Sequence, residues 1–403
     1  MKINELINRY QNKEKYFYRL RGSVGKEKLL IYFQGRKMFD IIDNIITPNC
    51  SFFTPNSNNK AIYLEKPPRK VVEAFNDLGL TLEYNDKLYT NYEIFFNEVK
   101  KINKAPTNIN FIGLSIAKLT IDKLNYLEQI METRINIYDN NLTQEEDFLC
   151  TKKESGEKVY QQKLMDKLNN NQEKLKLTKE KNSPFSPDSI PFEVEYGLKT
   201  EEKLKEINNI YIPDARIDNI IIDNDILKMV EIKLGTSVIA GYNGIHKHLI
   251  DIAHSIKNNI IKVNDFNDII NQRKKIFNNY KLNNKITNEV KYLEYIIICG
   301  YNPNHKTGPF SKNEVIRLLD KIYNMNVEKE LKLTRSDLLY NNGKQSKSKK
   351  VSNKILEYTQ NYNKFTKMDI PTLIEYLKNK NVKVSIYLAT DDYTNFETYP
   401  IVK

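Results

Sequence analysis

The spacing of apolar residues changes along the chain between helical and strand-like periods, and these changes divide it into elements. Apolar residues at every third or fourth position predict helices over residues 1–20, in RKVVEAFNDLG, in YEIFFNEVKKI and in LTIDKLNYLEQIMETRI. The segment KLLIYFQGRKMFDII predicts a strand and a turn. We therefore predict a mixed, mainly helical α+β domain over residues 1–150.

The second part of the chain begins with a densely charged segment, in which a weak apolar stripe predicts a helix over residues 157–168. The turn-rich SPFSPDSIP then leads into the strand IPFEVEYGL. After it, RIDNIII and ILKMVEIKLG flank the turn DND, and the three segments together predict an antiparallel hairpin.

Helices and apolar strands alternate after this hairpin. GYNGIHKHLIDIAHSIKNNI and IPTLIEYLKNK predict helices, while YLEYIIICGY and VKVSIYLA predict strands, the first of them buried on both faces. Residues 301–367 predict a helical excursion that contains a Lys-rich loop. We therefore predict an α/β domain over residues 151–403.

The composition is that of a globular chain with a basic balance. The 403 residues carry a formal net charge of +12, which suits a polyanionic partner. An AT-rich genome would enrich Lys, Asn, Ile and Tyr whatever the function, and this explains the charge equally well. No apolar run is long enough to cross a bilayer and the N-terminus lacks a signal-peptide pattern, so we predict a cytoplasmic protein without a membrane partner.

Cysteines and histidines do not have the spacing of a metal site. Cys50, Cys150 and Cys299 are far apart and odd in number, which argues against a disulfide framework. Cys299 lies in an apolar run and is interpreted as a small core residue. Three histidines fall within residues 246–254, but their spacing matches no common zinc site, so we discount them as ligands.

Acidic and basic side chains meet at the predicted hairpin. Alternate side chains of a strand share a face, so Glu231 and Lys233 point the same way and Ile232 points away into the core. If Asp218 lies across from Glu231, two carboxylates and an ammonium converge. A hard divalent cation such as Mg²⁺ resolves the repulsion between close carboxylates. A cation and a lysine together can activate water and stabilise charge on a phosphate, as metal-assisted phosphodiester hydrolysis requires.

Two aspartates compete for the position opposite Glu231. Asp214 follows a proline, whereas Asp218 stands at the start of an apolar strand. A turn centred on Asn224 puts Glu231 opposite residue 217, which is one position from Asp218 and three positions from Asp214. We therefore favour Asp218 and interpret Asp214 as a turn or cap residue.

The hairpin has an aspartate before an apolar strand, then a turn, and then Glu231-Ile232-Lys233 at the end of the next strand. This pattern resembles the PD-(D/E)xK nuclease superfamily, which has the restriction-endonuclease-like fold. The resemblance covers about residues 190–300 and implies a mixed central sheet flanked by helices. It implies that Asp218, Glu231 and the backbone carbonyl of Ile232 bind Mg²⁺, for which Mn²⁺ can substitute. It also implies that Lys233 assists the attacking water.

The resemblance further implies an acidic ligand on a helix upstream of the hairpin. Glu157 on the predicted helix 157–168 is our candidate, and Glu154 and Glu195 are the alternatives. Such an acid would complete the oxygen ligands of the cation.

Basic residues near these acids are candidate nucleic-acid contacts. Arg216 lies on the same strand face as Asp218 and could hold a phosphate. Lys347, Lys349 and Lys350 lie in the Lys-rich loop, for which the role of an ordinary solvated loop is an equal alternative.

The function that the resemblance implies is that of a Mg²⁺-dependent nuclease. DNA is favoured over RNA because it is the superfamily's commonest substrate, and an endonuclease in restriction or phage defence is the leading interpretation. Residues 1–150 would then be a recognition or oligomerisation domain. Homodimerisation is open, because such enzymes often dimerise to cut both strands. The alternatives are a repair or recombination nuclease, a non-catalytic nucleic-acid-binding protein on the same fold, and an interaction scaffold.

Overall fold

The structure of the protein is a computed structural model, and it describes most of the chain. The described residues are 3–11, 13, 16–23, 26–33, 36–49, 67, 69–99, 109–115, 119–139, 156–198, 215–240, 244–279, 289–324 and 364–401. The chain divides into two compact units, one formed by residues 1–166 and 272–283 and the other by residues 167–271 and 284–403. The domain boundary at residue 150 lies outside the described residues and stays a prediction.

The first unit combines helices with antiparallel sheets. Its elements in chain order are α1 (Ile3–Gln11), β1 (Tyr16–Ser23), β2 (Lys26–Phe33), β3 (Arg36–Ile42), β4 (Ile45–Pro48), α2 (Arg69–Leu78), β5 (Thr81–Tyr84), β6 (Lys87–Tyr89), α3 (Tyr92–Val99), β7 (Ile109–Ile112), β8 (Leu114–Ser115) and α4 (Ile121–Asp139). One sheet has the order β1-β2-β3-β4-β8 and the other the order β6-β5-β7. The next helix, α5 (Gly156–Asn169), confirms the helix predicted over residues 157–168 and crosses the division between the units.

The first unit contains more β structure than the predicted segments indicated, because two sheets account for much of it. The helix predicted over residues 1–20 ends at Gln11, and Tyr16–Ser23 forms β1 instead, paired along its whole length with β2. The segment forms a strand because pairing with β2 satisfies the backbone hydrogen bonds of β1. Its aromatic residues also favour strands over helices. The apolar face predicted for the shorter helix is confirmed by its buried residues Leu6, Ile7 and Tyr10.

The other predicted elements of the first unit are confirmed. The three segments predicted as helices after residue 68 form α2, α3 and α4, and the predicted strand and turn form the hairpin of β2 and β3. Helix α2 ends before Gly79, whose φ of +63° is the left-handed conformation that commonly terminates a helix.

A mixed six-stranded sheet forms the centre of the second unit. Its elements are α6 (Asn171–Lys179), β9 (Ile190–Leu198), β10 (Ala215–Asp223), β11 (Ile226–Leu234), α7 (Ile245–Lys257), α8 (Val263–Asn279), β12 (Tyr292–Tyr301), α9 (Lys312–Tyr323), α10 (Ile370–Lys378), β13 (Val382–Thr390) and β14 (Phe396–Thr398), of which α8, like α5, crosses the division between the units. The strand order is β14-β13-β12-β11-β10-β9. Strands β11, β12 and β13 are parallel to one another and the other neighbours are antiparallel. The predicted α/β class is confirmed.

The connections between strands explain these directions. A tight turn, in which Asn224 has a φ of +56°, joins the antiparallel strands β10 and β11. Parallel neighbours need a crossover, and helices α7 and α8 stand between β11 and β12. Residues 227–233 of β11 and 293–301 of β12 are all buried, as is typical of central strands that are covered on both faces. The charged residues of β11 therefore lie inside the unit.

The predicted excursion over residues 301–367 is described only in part. Its first portion contains the end of β12 and helix α9. Residues 325–363, which include the Lys-rich loop, lie outside the described residues, and the prediction for them remains a prediction.

A glycine shapes the end of β11. Gly235 has a φ of +75° and a ψ of 179°, a region that is nearly restricted to glycine. Its amide donates to the Gly300 carbonyl at 3.0 Å. A Cβ at this position would lie 2.8 Å from a ring carbon of Phe310 and 3.0 Å from the Pro309 carbonyl oxygen. The absence of a side chain at Gly235 therefore lets the strand end at Leu234, one residue after Lys233.

We expect Gly235→Ala to lower the free energy of unfolding by about 1–3 kcal/mol, because the added Cβ meets both backbone strain and the Phe310 ring. Urea unfolding monitored by circular dichroism measures this loss. Gly197→Ala is the matched control, since Gly197 is exposed in β9 and a Cβ there meets no atom within 4 Å. The control should change stability by less than about 0.5 kcal/mol. Equal losses in the two variants would contradict this account of Gly235.

Candidate active site

The pairing of β10 with β11 decides which charged residues meet. The register runs from Asp223↔Ile226 to Asn219↔Val230, and one step further it sets Asp218 opposite Glu231. Residues that lie opposite each other in an antiparallel pair share a face. The turn position in the sequence had placed residue 217 opposite Glu231, one residue from Asp218. The observed register therefore favours Asp218 over Asp214 more strongly than the sequence did.

Asp218 is half-buried and lies just beyond Asn219 and Val230, the last pair of residues in the backbone pairing of β10 with β11. Its side chain makes a hydrogen bond across the space between these two strands. Its Oδ2 accepts a hydrogen bond from the backbone N–H of Ile232 at 2.8 Å. The amide and the carbonyl of one strand residue face the same neighbouring strand, so the Ile232 carbonyl also faces β10. A carboxylate and a backbone carbonyl are thus directed toward the same gap between the strands.

Glu231 and Lys233 form an ion pair that is almost completely removed from solvent. Lys233 Nζ lies 2.8 Å from Glu231 Oε1, and the two side chains are 3% and 1% exposed. The contact agrees with the shared strand face that alternation predicts. Burial of charges is costly unless they are paired, so each group depends on the other for its stability in this position.

Helix α7 adds a residue that the sequence interpretation discounted. His248 Nε2 lies 3.1 Å from Glu231 Oε1 and 3.3 Å from Lys233 Nζ, and its side chain is 19% exposed. The signal was present in the helical spacing. His248 follows Ile245 by three residues and precedes Ile252 by four, and both isoleucines are buried. It therefore lies on the apolar stripe of the helix that follows the Glu-x-Lys strand.

A tyrosine and a second ion pair border this cluster. Tyr295 on β12 is 1% exposed, and its pKa is raised well above the usual value by burial and by the negative charges of Glu231, Asp218 and Asp251. Its hydroxyl therefore keeps its proton. Asp251, one turn after His248, has both carboxylate oxygens 2.5 Å from Lys247 Nζ. The carboxylates around Tyr295 thus come from two strands and a helix.

Cys299 is paired with Lys233 in the register between β11 and β12, and it is fully buried. Burial raises the pKa of its thiol to about 12, although the charge of Lys233 acts to lower it. The thiol is therefore protonated at neutral pH, and Cys299 behaves as the small core residue that its apolar run predicts.

The other candidates are related to this cluster only in part. Arg216 lies on β10 two residues before Asp218 with its side chain exposed. Glu157 lies near the start of α5 in the first unit, so its role as a further acid stays a prediction. The candidates outside the described residues, as whole residues or as side chains, are Glu154, Glu195, Asp214, Lys347, Lys349 and Lys350.

The donor types of the cluster fit a hard divalent cation. Asp218, Glu231 and the Ile232 carbonyl would supply the oxygen ligands that such an ion prefers. Within the described ranges, no three His, Cys, Asp or Glu residues stand ready as a metal cage. The contacts explain this, because Lys233 is paired with Glu231 and the Ile232 amide is bonded to Asp218. A cation would therefore compete with Lys233 for Glu231.

Comparisons with known proteins assign no family to the chain. No protein-family model matches it, and no curated protein or solved structure is significantly similar to it. As for membranes, none of the helices in the described part of the chain has the length and apolar character to span one. The function must therefore be inferred from the hairpin and the residues around it.

Lys233→Met should lower the free energy of unfolding by about 3 kcal/mol, because it removes the main counter-charge of a buried carboxylate. Chemical denaturation at neutral pH measures the loss. Lys176→Met is the control, since Lys176 Nζ lies 2.7 Å from Glu173 but the two side chains are 71% and 35% exposed. Breaking that pair should cost less than about 1 kcal/mol.

A second variant tests whether the cost arises from the unpaired charge. Adding Glu231→Leu to Lys233→Met removes both charges, so the double variant should be more stable than Lys233→Met alone. A Lys233→Met protein as stable as its parent would contradict the buried pair.

Proposed function

We propose that the protein is a nuclease that hydrolyses phosphodiester bonds with a bound divalent cation, and that DNA is its favoured substrate. One observation carries the proposal: the hairpin register, continued by one step, sets Asp218 opposite Glu231, and Lys233 contacts Glu231 at 2.8 Å. Two carboxylates and a lysine in this arrangement are what the PD-(D/E)xK resemblance implies. The mixed sheet with helical crossovers also agrees with the architecture that this resemblance implies.

Each group has a role that its position supports. Asp218, Glu231 and the Ile232 carbonyl would hold the cation, which when bound lowers the pKa of a water and neutralises phosphate charge. The Lys233 ammonium, beside Glu231, can orient the attacking water or donate hydrogen bonds to phosphate oxygens as negative charge develops. The reaction adds water across one P–O bond. The water oxygen bonds to phosphorus, and a proton reaches the departing oxygen.

The exposure of the residues indicates where a phosphate would approach. Glu231 and Lys233 are nearly inaccessible, whereas Asp218 is half-buried and His248 is partly exposed. The phosphate backbone of the nucleic acid would therefore approach from the side of Asp218 and His248. Arg216 is exposed on the same strand and would contact a neighbouring phosphate.

The finer parts of the proposal rest on the resemblance alone. They are an endonuclease activity used in restriction or phage defence, Mg²⁺ as the cation with Mn²⁺ as a substitute, and a homodimer that cuts both strands. In the same proposal, Lys347, Lys349 and Lys350 contact the nucleic acid and residues 1–150 recognise the target or form the dimer.

A non-catalytic nucleic-acid-binding protein is the second candidate, and the burial of the ion pair favours it. A phosphate cannot reach Glu231 or Lys233 while their side chains are 1% and 3% exposed, unless the site opens. Such a protein would bind DNA in a salt-dependent way but would not cut it. Dependence of cleavage on a divalent cation separates the two candidates.

The parent protein should cut plasmid or single-stranded DNA in Mg²⁺ or Mn²⁺ and stop in EDTA. Lys233→Ala and Asp218→Asn should each reduce the single-turnover rate about a hundredfold or more, because each removes a group that acts in the reaction. Circular dichroism at the assay temperature shows whether each variant is folded. Gel-resolved cleavage under enzyme excess measures the rates.

Two further variants control this experiment. Lys312→Ala removes a lysine on α9 and should leave the rate unchanged. Asp214→Asn should also cut like the parent if Asp218 is the relevant aspartate. A folded Lys233→Ala protein that cuts as fast as the parent would refute the catalytic proposal. An inactive Asp214→Asn protein beside an active Asp218→Asn protein would reverse the choice of aspartate.

A further inference from the structure

We infer that His248 is a further ligand of the cation, and that the site therefore takes Mn²⁺ in preference to Mg²⁺. The inference rests on the proposed function, because Glu231 would bind the same ion. It adds a nitrogen donor from α7 to the oxygen donors of β10 and β11.

The spacing of the two donor atoms fits one ion. His248 Nε2 and Glu231 Oε1 are 3.1 Å apart. Two ligands at right angles on an octahedral ion, each about 2.1 Å from the metal, are roughly 3 Å from each other. The histidine and the carboxylate can therefore bind one cation with little movement of α7 relative to β11.

The contacts of Lys233 also indicate that this part of the cluster favours positive charge. The Lys233 ammonium lies 2.8 Å from Glu231 Oε1 and 3.3 Å from His248 Nε2. A cation held by the same two atoms would take over the counter-charge that Lys233 supplies to Glu231 in this structure.

The neighbouring groups of α7 are engaged elsewhere. Both carboxylate oxygens of Asp251 lie against Lys247 Nζ. His246 Nε2 is 2.7 Å from the Met368 carbonyl oxygen. His248 is thus the α7 side chain that contacts both members of the Glu231–Lys233 pair.

A nitrogen ligand changes the choice of metal. Carboxylate, carbonyl and water ligands suit both Mg²⁺ and Mn²⁺, whereas imidazole suits transition metals. Mg²⁺ prefers a shell of oxygen ligands and keeps several waters. A site with two carboxylates, a carbonyl and an imidazole should therefore bind Mn²⁺ more tightly than Mg²⁺.

Pulsed EPR of the parent protein loaded with Mn²⁺ tests the ligand directly. With histidine labelled by ¹⁵N, we expect a hyperfine coupling between Mn²⁺ and ¹⁵N, and His248→Gln should abolish it. Loss of the coupling in His246→Gln instead, or no coupling in the parent, would overturn the inference. The parent spectrum requires no variant to fold.

Calorimetric titration tests the preference for Mn²⁺. His248→Gln should weaken Mn²⁺ binding about tenfold or more and leave Mg²⁺ binding unchanged, because the lost nitrogen matters for Mn²⁺ alone. His246→Gln, on the same helix, should bind both ions like the parent. An unchanged ratio of the two affinities in a folded His248→Gln protein would also overturn the inference.

The two levels of the proposal fail in different ways. A parent protein that binds neither cation and cuts no DNA refutes the proposed function. A parent that binds both ions equally and cuts DNA with either, but shows no nitrogen coupling, refutes only the role of His248.

Discussion

The buried ion pair between Glu231 and Lys233 is the interaction on which the second unit depends. Its charges stand on the central strand β11, where burial is tolerable only with partners close by. Glu231 and Lys233 partner each other, and α7 brings His248 against both members of the pair. Strand β10 adds a second carboxylate, Asp218, one step beyond the paired register of the hairpin. A slip of one residue in β11 would turn the pair to the other face of the sheet, so the site constrains the register.

The same hairpin contains a second buried ion pair between a lysine and an acidic residue, and we interpret this second pair as purely structural. Asp223 bonds to Lys228 and to two serine hydroxyls, while Lys228 also donates to the Pro184 carbonyl; the serines are Ser186 and Ser189. Burial raises the pKa of Asp223, but the bonds from Lys228 and the serines outweigh it and leave the pKa lowered. Neutral groups complete that pair, whereas charged and titratable groups surround Glu231. Arrangements of the second kind cost stability and are typical of functional sites.

The hairpin and its neighbours were predictable because their signals are local. The turn at Asn224 sets the register to within one residue, and the apolar runs of β11 and β12 indicate central strands. In the first unit β1 to β4 pair as consecutive neighbours, but the apolar spacing at the N-terminus did not show where α1 gives way to β1. Strands β8 and β7 join their sheets from distant segments, which the local pattern could not show. His248 was missed because its role arises from packing of α7 on the sheet, although its place on the buried stripe was visible.

Anomalous scattering from crystals soaked in Mn²⁺ would test the central claim most directly, because it locates the ion without relying on activity. The claim is that the Asp218, Glu231 and Lys233 cluster is a cation site for phosphodiester hydrolysis. We expect a manganese peak within bonding distance of Asp218 and Glu231, with Lys233 displaced from its contact with Glu231 Oε1. An ion-free cluster in which the Glu231–Lys233 pair is unchanged at saturating Mn²⁺ would contradict the account.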